Sequence, residues 1–165
     1  MCVVIDSAVW FALGCGNLAL KAVQLGRVIC AVDYVVDEEL LSAPKGSDLR
    51  VHGLRVEEVG PKGVAQVAVW GPDHPRLGAA DLLSLALAWE HNWRLATHDS
   101  ELEELAGMVG VPVLCVVDIM EMMARTSILT LADIAIFKRA MFVRKEPYSK
   151  RKLRDVERLL KNRNI

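Results

Sequence analysis

Asp6, Glu39, Asp81 and Asp99 are the residues in this chain best suited to carry chemistry. Each stands where an apolar run stops or a helix begins. Asp6 ends Cys2-Val3-Val4-Ile5, and Asp99 follows Leu95-Ala96-Thr97-His98. Asp81 opens Leu82-Leu83-Ser84-Leu85-Ala86-Leu87-Ala88, and Glu39 lies after Val28-Ile29-Cys30-Ala31-Val32. If the apolar runs are neighbouring parallel strands, their carboxyl ends share one rim and the four carboxylates meet in one cleft. Carboxylates held close together raise each other's pKa or demand a cation. Hard divalent cations take oxygen ligands. A bound ion lowers the pKa of its water and neutralises charge developing on a phosphate. Each acid also has a plainer role. Asp6, Asp81 and Asp99 sit where a helix start favours a capping or dipole-matched carboxylate, and Glu39 could be a solvated helix position.

The elements that must position these acids read as an alternating series. Residues 2–6, 28–32, 54–59, 93–97 and 111–117 read as strands. Helices are expected over 7–25, with Ser7 as its cap and a break at Gly14 and Gly16, and over 34–41 behind Asp33. Further helices are expected over 64–69, 79–92, 101–108, 118–125, 131–143 and 149–162. Pro44, Gly46 and Ser47 mark a turn. The segment 79–92 is apolar on nearly all faces, which implies a helix buried against a sheet. Strands alternating with helices imply right-handed crossovers and a parallel sheet of about five strands covered on both faces.

Composition sets the outer bounds. A chain of 165 residues fits one domain with a full core. There is no run of eighteen apolar residues, so no membrane span is expected. Met1-Cys2-Val3-Val4-Ile5-Asp6 lacks a basic n-region, which argues against a signal peptide and for a cytoplasmic protein. The four cysteines (Cys2, Cys15, Cys30, Cys115) form no C-x-x-C pair, which argues against structural zinc. A Cys2–Cys30 disulfide is conceivable if their strands pair. From Lys138 onward there are eleven Lys/Arg against three Asp/Glu, a net of +8. Residues 1–137 hold nine bases and eighteen acids, a net of −9. An acidic body with a basic tail suggests a polyanion partner. Arg144, Lys145, Lys150, Arg151 and Lys152 are its candidate contacts, and a tail folded onto the acidic body is the alternative.

With those residues in place, the chain resembles the PIN-domain family, to which the VapC-type ribonucleases belong. Val3-Val4-Ile5-Asp6-Ser7 looks like the family's opening strand and first metal-binding Asp. Val36-Asp37-Glu38-Glu39-Leu40 looks like its V-x-x-E-L helix, with Glu39 matched and Glu38 left open as the register alternative. Ala80-Asp81 through Ala88 and Thr97-His98-Asp99 are similar to the third and fourth motifs. Thr97 and Ser7 match hydroxyl positions near the metal. Asp33 stands where the family often has Pro before its second motif.

The resemblance covers residues 1–126 as a three-layer α/β/α domain, and 127–165 forms a helical basic extension. It implies a Mg²⁺- or Mn²⁺-dependent endoribonuclease with Asp6, Glu39, Asp81 and Asp99 as catalytic and metal residues. It further implies an RNA substrate, and for toxin members an antitoxin-like partner and a homodimer. A catalytically inactive RNA-binding or protein-interaction module is the rival. A phosphatase or receiver ranks lower, because no Lys closely follows the fourth or fifth strand.

Other residues have local readings. Trp70, beside Gly71-Pro72, is expected to be exposed and could stack on a base. Trp89 and Trp93 are expected in the core, and His98 has a minor claim to substrate contact. Met120, Met122 and Met123 read as packing.

Overall fold

A computed structural model describes residues 1–163; positions 164 and 165, the last two of the expected extension, lie outside the described residues. Five strands form one all-parallel sheet: β1 (Val3–Ile5), β2 (Ile29–Val32), β3 (Val56–Glu57), β4 (Arg94–Ala96) and β5 (Val113–Leu114). Their order is β3-β2-β1-β4-β5. β1 and β2 are buried throughout, as expected for strands covered on both faces.

The helices are α1 (Ser7–Cys15), α2 (Ala19–Val23), α3 (Gly46–Val51), α4 (Pro61–Trp70), α5 (Ala79–Glu90), α6 (Ser100–Met108), α7 (Val116–Arg125), α8 (Leu131–Arg144) and α9 (Lys150–Arg163). The chain moves one way from β1 to β3 and the other way from β3 through β4 to β5. Right-handed crossovers therefore place α1 and α5 on opposite faces. α5 contacts β1, β2 and β4, with α4 and α6 beside it, while α1 packs with α2, α7 and α8. α9 closes over α7 and α8. The core runs without interruption from the sheet to Phe137, Met141, Leu153, Val156 and Leu160 of the last two helices.

Several local expectations are corrected. Ser7 does not cap α1; Asp6 does, and Ser7 is the first helical residue. The break near Gly14 and Gly16 is real, and it separates α1 from α2. A Cβ on Gly16 would lie 2.9 Å from Phe137 Cδ2, so the small residue there admits α8. The turn expected at residues 44–47 leads straight into α3.

The segment after β2 is a π-helical turn, Val35–Glu39, closed by the Leu40 N–H donating to the Val35 carbonyl at 3.0 Å. β5 is shorter than its apolar run because Asp118 accepts from the Cys115 N–H and α7 starts at Val116. Val116 and Val117 therefore enter the core from a helix. Trp70 is not exposed. It is 6% accessible and meets Trp89 edge-on at 5.9 Å. Met120 and Met123 pack in the core, as read from the sequence.

Cys2 and Cys30 are free thiols with their sulfurs 3.4 Å apart. No described helix is long and apolar enough to cross a membrane.

Candidate active site

The sheet reverses its strand order between β1 and β4, and crevices beyond the carboxyl ends of such strands are where open α/β sheets bind ligands. Val4 pairs with Leu95 and Ile5 with Ala96. Asp6 therefore leaves β1 level with Thr97, and Asp99 follows two residues on. The Asp99 N–H donates to Thr97 Oγ1 at 3.1 Å, which folds the β4 exit back toward the crevice.

Three helix N-termini meet this rim, and each is held by one of the expected carboxylates. Asp6 Oδ1 accepts from the Val9 N–H at 2.9 Å in the first turn of α1. Asp99 Oδ1 accepts from the Leu102 N–H at 2.9 Å at the start of α6. Asp81, the third residue of α5, reaches back so that Oδ2 accepts from the Gly78 N–H at 2.8 Å. The capping role and the ligand role are thus compatible. Each carboxylate spends one oxygen on a helix start and keeps the other. The positive ends of three helix dipoles also offset part of the gathered negative charge.

Electrostatics tie the four acids together. Asp6 is 1% exposed, and its Oδ2 has no hydrogen-bond partner. Burial pushes its carboxyl up to about 7. The Thr97 hydroxyl and the Val9 amide pull it down, and the charges of Asp81 and Asp99 push it further up. Thr97 lies close enough to act on Asp6 but makes no hydrogen bond of normal geometry with it; the bond its hydroxyl does make is the one from Asp99. Half-buried Asp81 is also raised, by desolvation first, against the Gly78 amide, and then by Asp99 and Glu39.

Glu39 ends the π-helical turn half-buried, whereas Asp37 and Glu38 are exposed. Asp37 is taken by Arg50, whose Nη2 donates to both its oxygens at 2.8 and 2.9 Å. Of the three adjacent acids, Glu39 is the one whose charge reaches Asp81.

A fifth acid shows what compensation looks like. Asp118 caps α7 as Asp81 caps α5, but Lys152 Nζ donates to both its oxygens at 2.8 and 2.9 Å. Burial alone would raise Asp118; the Cys115 amide and Lys152 outweigh it and hold the carboxyl below its usual range. Asp6, Glu39, Asp81 and Asp99 have no Lys, Arg or His partner among the described residues.

This donor set contains only oxygens, and it has an orphaned buried Oδ2 and no cation of its own. It fits a hard divalent ion such as Mg²⁺ or Mn²⁺. Among the described residues, no three His, Cys, Asp or Glu side chains are gathered closely enough to hold an ion as they stand.

The remaining expected residues divide. Thr97 is buried between Asp6 and Asp99. Ser7 is half-buried and makes no side-chain hydrogen bond among the described residues. Arg144 pairs with Glu146 at 3.1 Å, and Lys145 ends α8 in the left-handed region (φ 55°). Lys150 and Arg151 are exposed in the first turn of α9 with no ion pair among the described residues, while Lys152 is held by Asp118. The basic tail is therefore partly folded onto the body and partly free.

His98 serves the scaffold, because its Nε2 accepts from the Val116 N–H at 3.2 Å and steadies the start of α7. Sequence reasoning missed the Asp118–Lys152 pair. Its signals were an Asp at an apolar helix start, like Asp81, and a basic tail opposite an acidic body. No protein-family model matches the chain, and no curated protein matches it.

Proposed function

We propose that this chain is a divalent-metal-dependent endoribonuclease of PIN type that hydrolyses RNA phosphodiester bonds. The observation that carries the proposal is that Asp6, Asp81 and Asp99 each commit one carboxylate oxygen to a helix start, that Asp6 Oδ2 is buried without a partner, and that none of these acids nor Glu39 has a Lys, Arg or His partner among the described residues. Asp6 Oδ2 and the uncommitted oxygens of Asp81 and Asp99 are the groups that would hold Mg²⁺ or Mn²⁺. The ion, when bound, supplies Lewis acidity and neutralises charge on the phosphate. The protein's own contribution is positional. Capping fixes each aspartate's rotamer, and Thr97 ties the β4 exit in place. Glu39, whose carboxylate has no bond among the described residues, is assigned to orient the attacking water and accept its proton. The products are a 5′-phosphate and a 3′-hydroxyl. A toxin role with an antitoxin-like partner is the biological setting that the family resemblance implies.

The test is Mn²⁺-dependent cleavage of single-stranded RNA by the wild-type chain and by Asp6→Asn. The amide keeps an oxygen for the Val9 cap but loses the charge. Abolished cleavage with an unchanged circular dichroism spectrum supports the assignment, and full activity in the variant rejects it.

A second reading has one observation in its favour: no three ligands are gathered as they stand among the described residues. It makes the protein an RNA-binding module without catalysis. It requires RNA affinity indifferent to EDTA and no cleavage with any divalent ion.

A further inference from the structure

We propose that the groove at the junction of α8 and α9 is a base-stacking subsite for single-stranded RNA; this rests on the RNA-directed reading above. The groove encloses about 630 Å³, the size class of small-molecule pockets. It is lined by Phe142, Val143, Lys145, Pro147, Tyr148 and Lys150 among others. Phe142 is 84% exposed and Val143 71%, the most exposed of the large apolar side chains of α8, whose Ile134, Phe137 and Met141 are buried. Tyr148 is held in place by its edge-on contact with Phe137 at 5.5 Å.

Charge complementarity selects the occupant. Lys145 and Lys150 flank the aromatic surface and Arg151 follows, and none of them has an ion pair among the described residues. The groove's one acid, Glu146, is already paired with Arg144. An exposed aromatic ring bordered by unpaired cations matches a strand that offers flat bases and regularly spaced phosphates. A duplex offers no free base face.

The groove's α9 end also lies on the side of the sheet where the strands exit. Lys152, the third residue of α9, is bonded to Asp118 in the first turn of α7, the helix that follows β5. Glu146 stands near enough to His98, the neighbour of Asp99, to act on its charge.

The experiment is fluorescence anisotropy of a short, labelled single-stranded oligoribonucleotide titrated with the full chain in EDTA. It is run for the wild type, Phe142→Ala, Phe142→Tyr and Lys150→Ala, with sedimentation velocity on each. Phe142→Ala is expected to weaken binding about 5- to 100-fold, and Phe142→Tyr to restore it. Lys150→Ala is expected to weaken binding and to make it less dependent on salt. A duplex of the same sequence is expected to be indifferent to position 142.

Equal affinity of the wild type and Phe142→Ala overturns the proposal, as does an absence of binding by the wild type. A changed sedimentation coefficient with unchanged RNA affinity also overturns it, and reassigns the face to a protein contact. Cleavage with Mn²⁺ is assayed separately. Loss of cleavage with Phe142-dependent binding intact refutes only the nuclease proposal, and cleavage with Phe142-independent binding refutes only the subsite.

Discussion

The amide of Asp6 donates to the carbonyl of Ala96 at 3.1 Å. That bond extends the β1–β4 ladder one step past the strand and fixes where the Asp6 carboxyl enters the protein. The backbone that orders the sheet thus also places a carboxylic acid where water does not reach it.

Stability of the metal-free protein should fall as pH rises from about 4 to about 7. The folded-state pKa of Asp6, about 7, lies above the ordinary 3.8. The folded state therefore holds a proton over this range that the unfolded chain has released, and the stabilisation is lost as pH passes the folded value. The shift corresponds to at most ~4 kcal/mol. Urea denaturation of the wild type and Asp6→Asn across this range checks it. The variant should show a flatter profile and be the more stable of the two at pH 8 without metal. Added Mn²⁺ should stabilise the wild type there and leave the variant unmoved.

Gly46→Ala should damage the site from a distance. A Cβ at that position would stand 2.2 Å from the Val36 carbonyl oxygen and 2.8 Å from Val36 Cγ1. The backbone of the π-helical turn must shift, and Glu39 ends that turn. Overpacking of this kind costs about 1–3 kcal/mol. The expected outcome is reduced thermal stability together with a loss of cleavage larger than the loss of RNA affinity. Unchanged turnover would separate Glu39 from catalysis.

Lys152→Ala and Lys150→Ala should differ although the residues are two apart. Lys152 is bonded to Asp118, so its loss should cost ~0.5–1 kcal/mol of stability in a half-exposed, screened pair. It should alter RNA affinity little. Lys150 has no such bond among the described residues, and its removal should leave stability unchanged and weaken RNA binding. Paired denaturation and anisotropy measurements decide between these outcomes.

Trp70→Ala should destabilise the fold by about 3–5 kcal/mol, the usual cost of emptying an aromatic site in a core. Any change in RNA affinity at a temperature where the variant is folded would contradict the buried placement.

The order of elements was legible from the chain because apolar runs and helix punctuation coincide at most boundaries. Ile5-Asp6-Ser7 and Thr97-His98-Asp99 are readable as strand exits for this reason. What escaped was set by contacts distant in sequence. The π-helical turn depends on packing around Val36 and Gly46, which no local periodicity encodes. Trp70 sits beside Gly71-Pro72, a loop signal, yet Trp89 draws it inward from across a helix pair. Asp81 and Asp118 look alike in sequence, and only the return of α9 gives one of them a lysine. Strand order placed Asp6 and Asp99 at adjacent strand exits. Which oxygen of each remained uncommitted did not follow from it.

Three of the aspartates begin helices, so natural selection for folding alone would preserve them in a descendant that had abandoned chemistry. Glu39 makes no side-chain hydrogen bond or ion pair among the described residues. On the nuclease proposal, the identity of position 39 should therefore separate working enzymes from retired ones among evolutionary cousins of this chain more sharply than any of the aspartates.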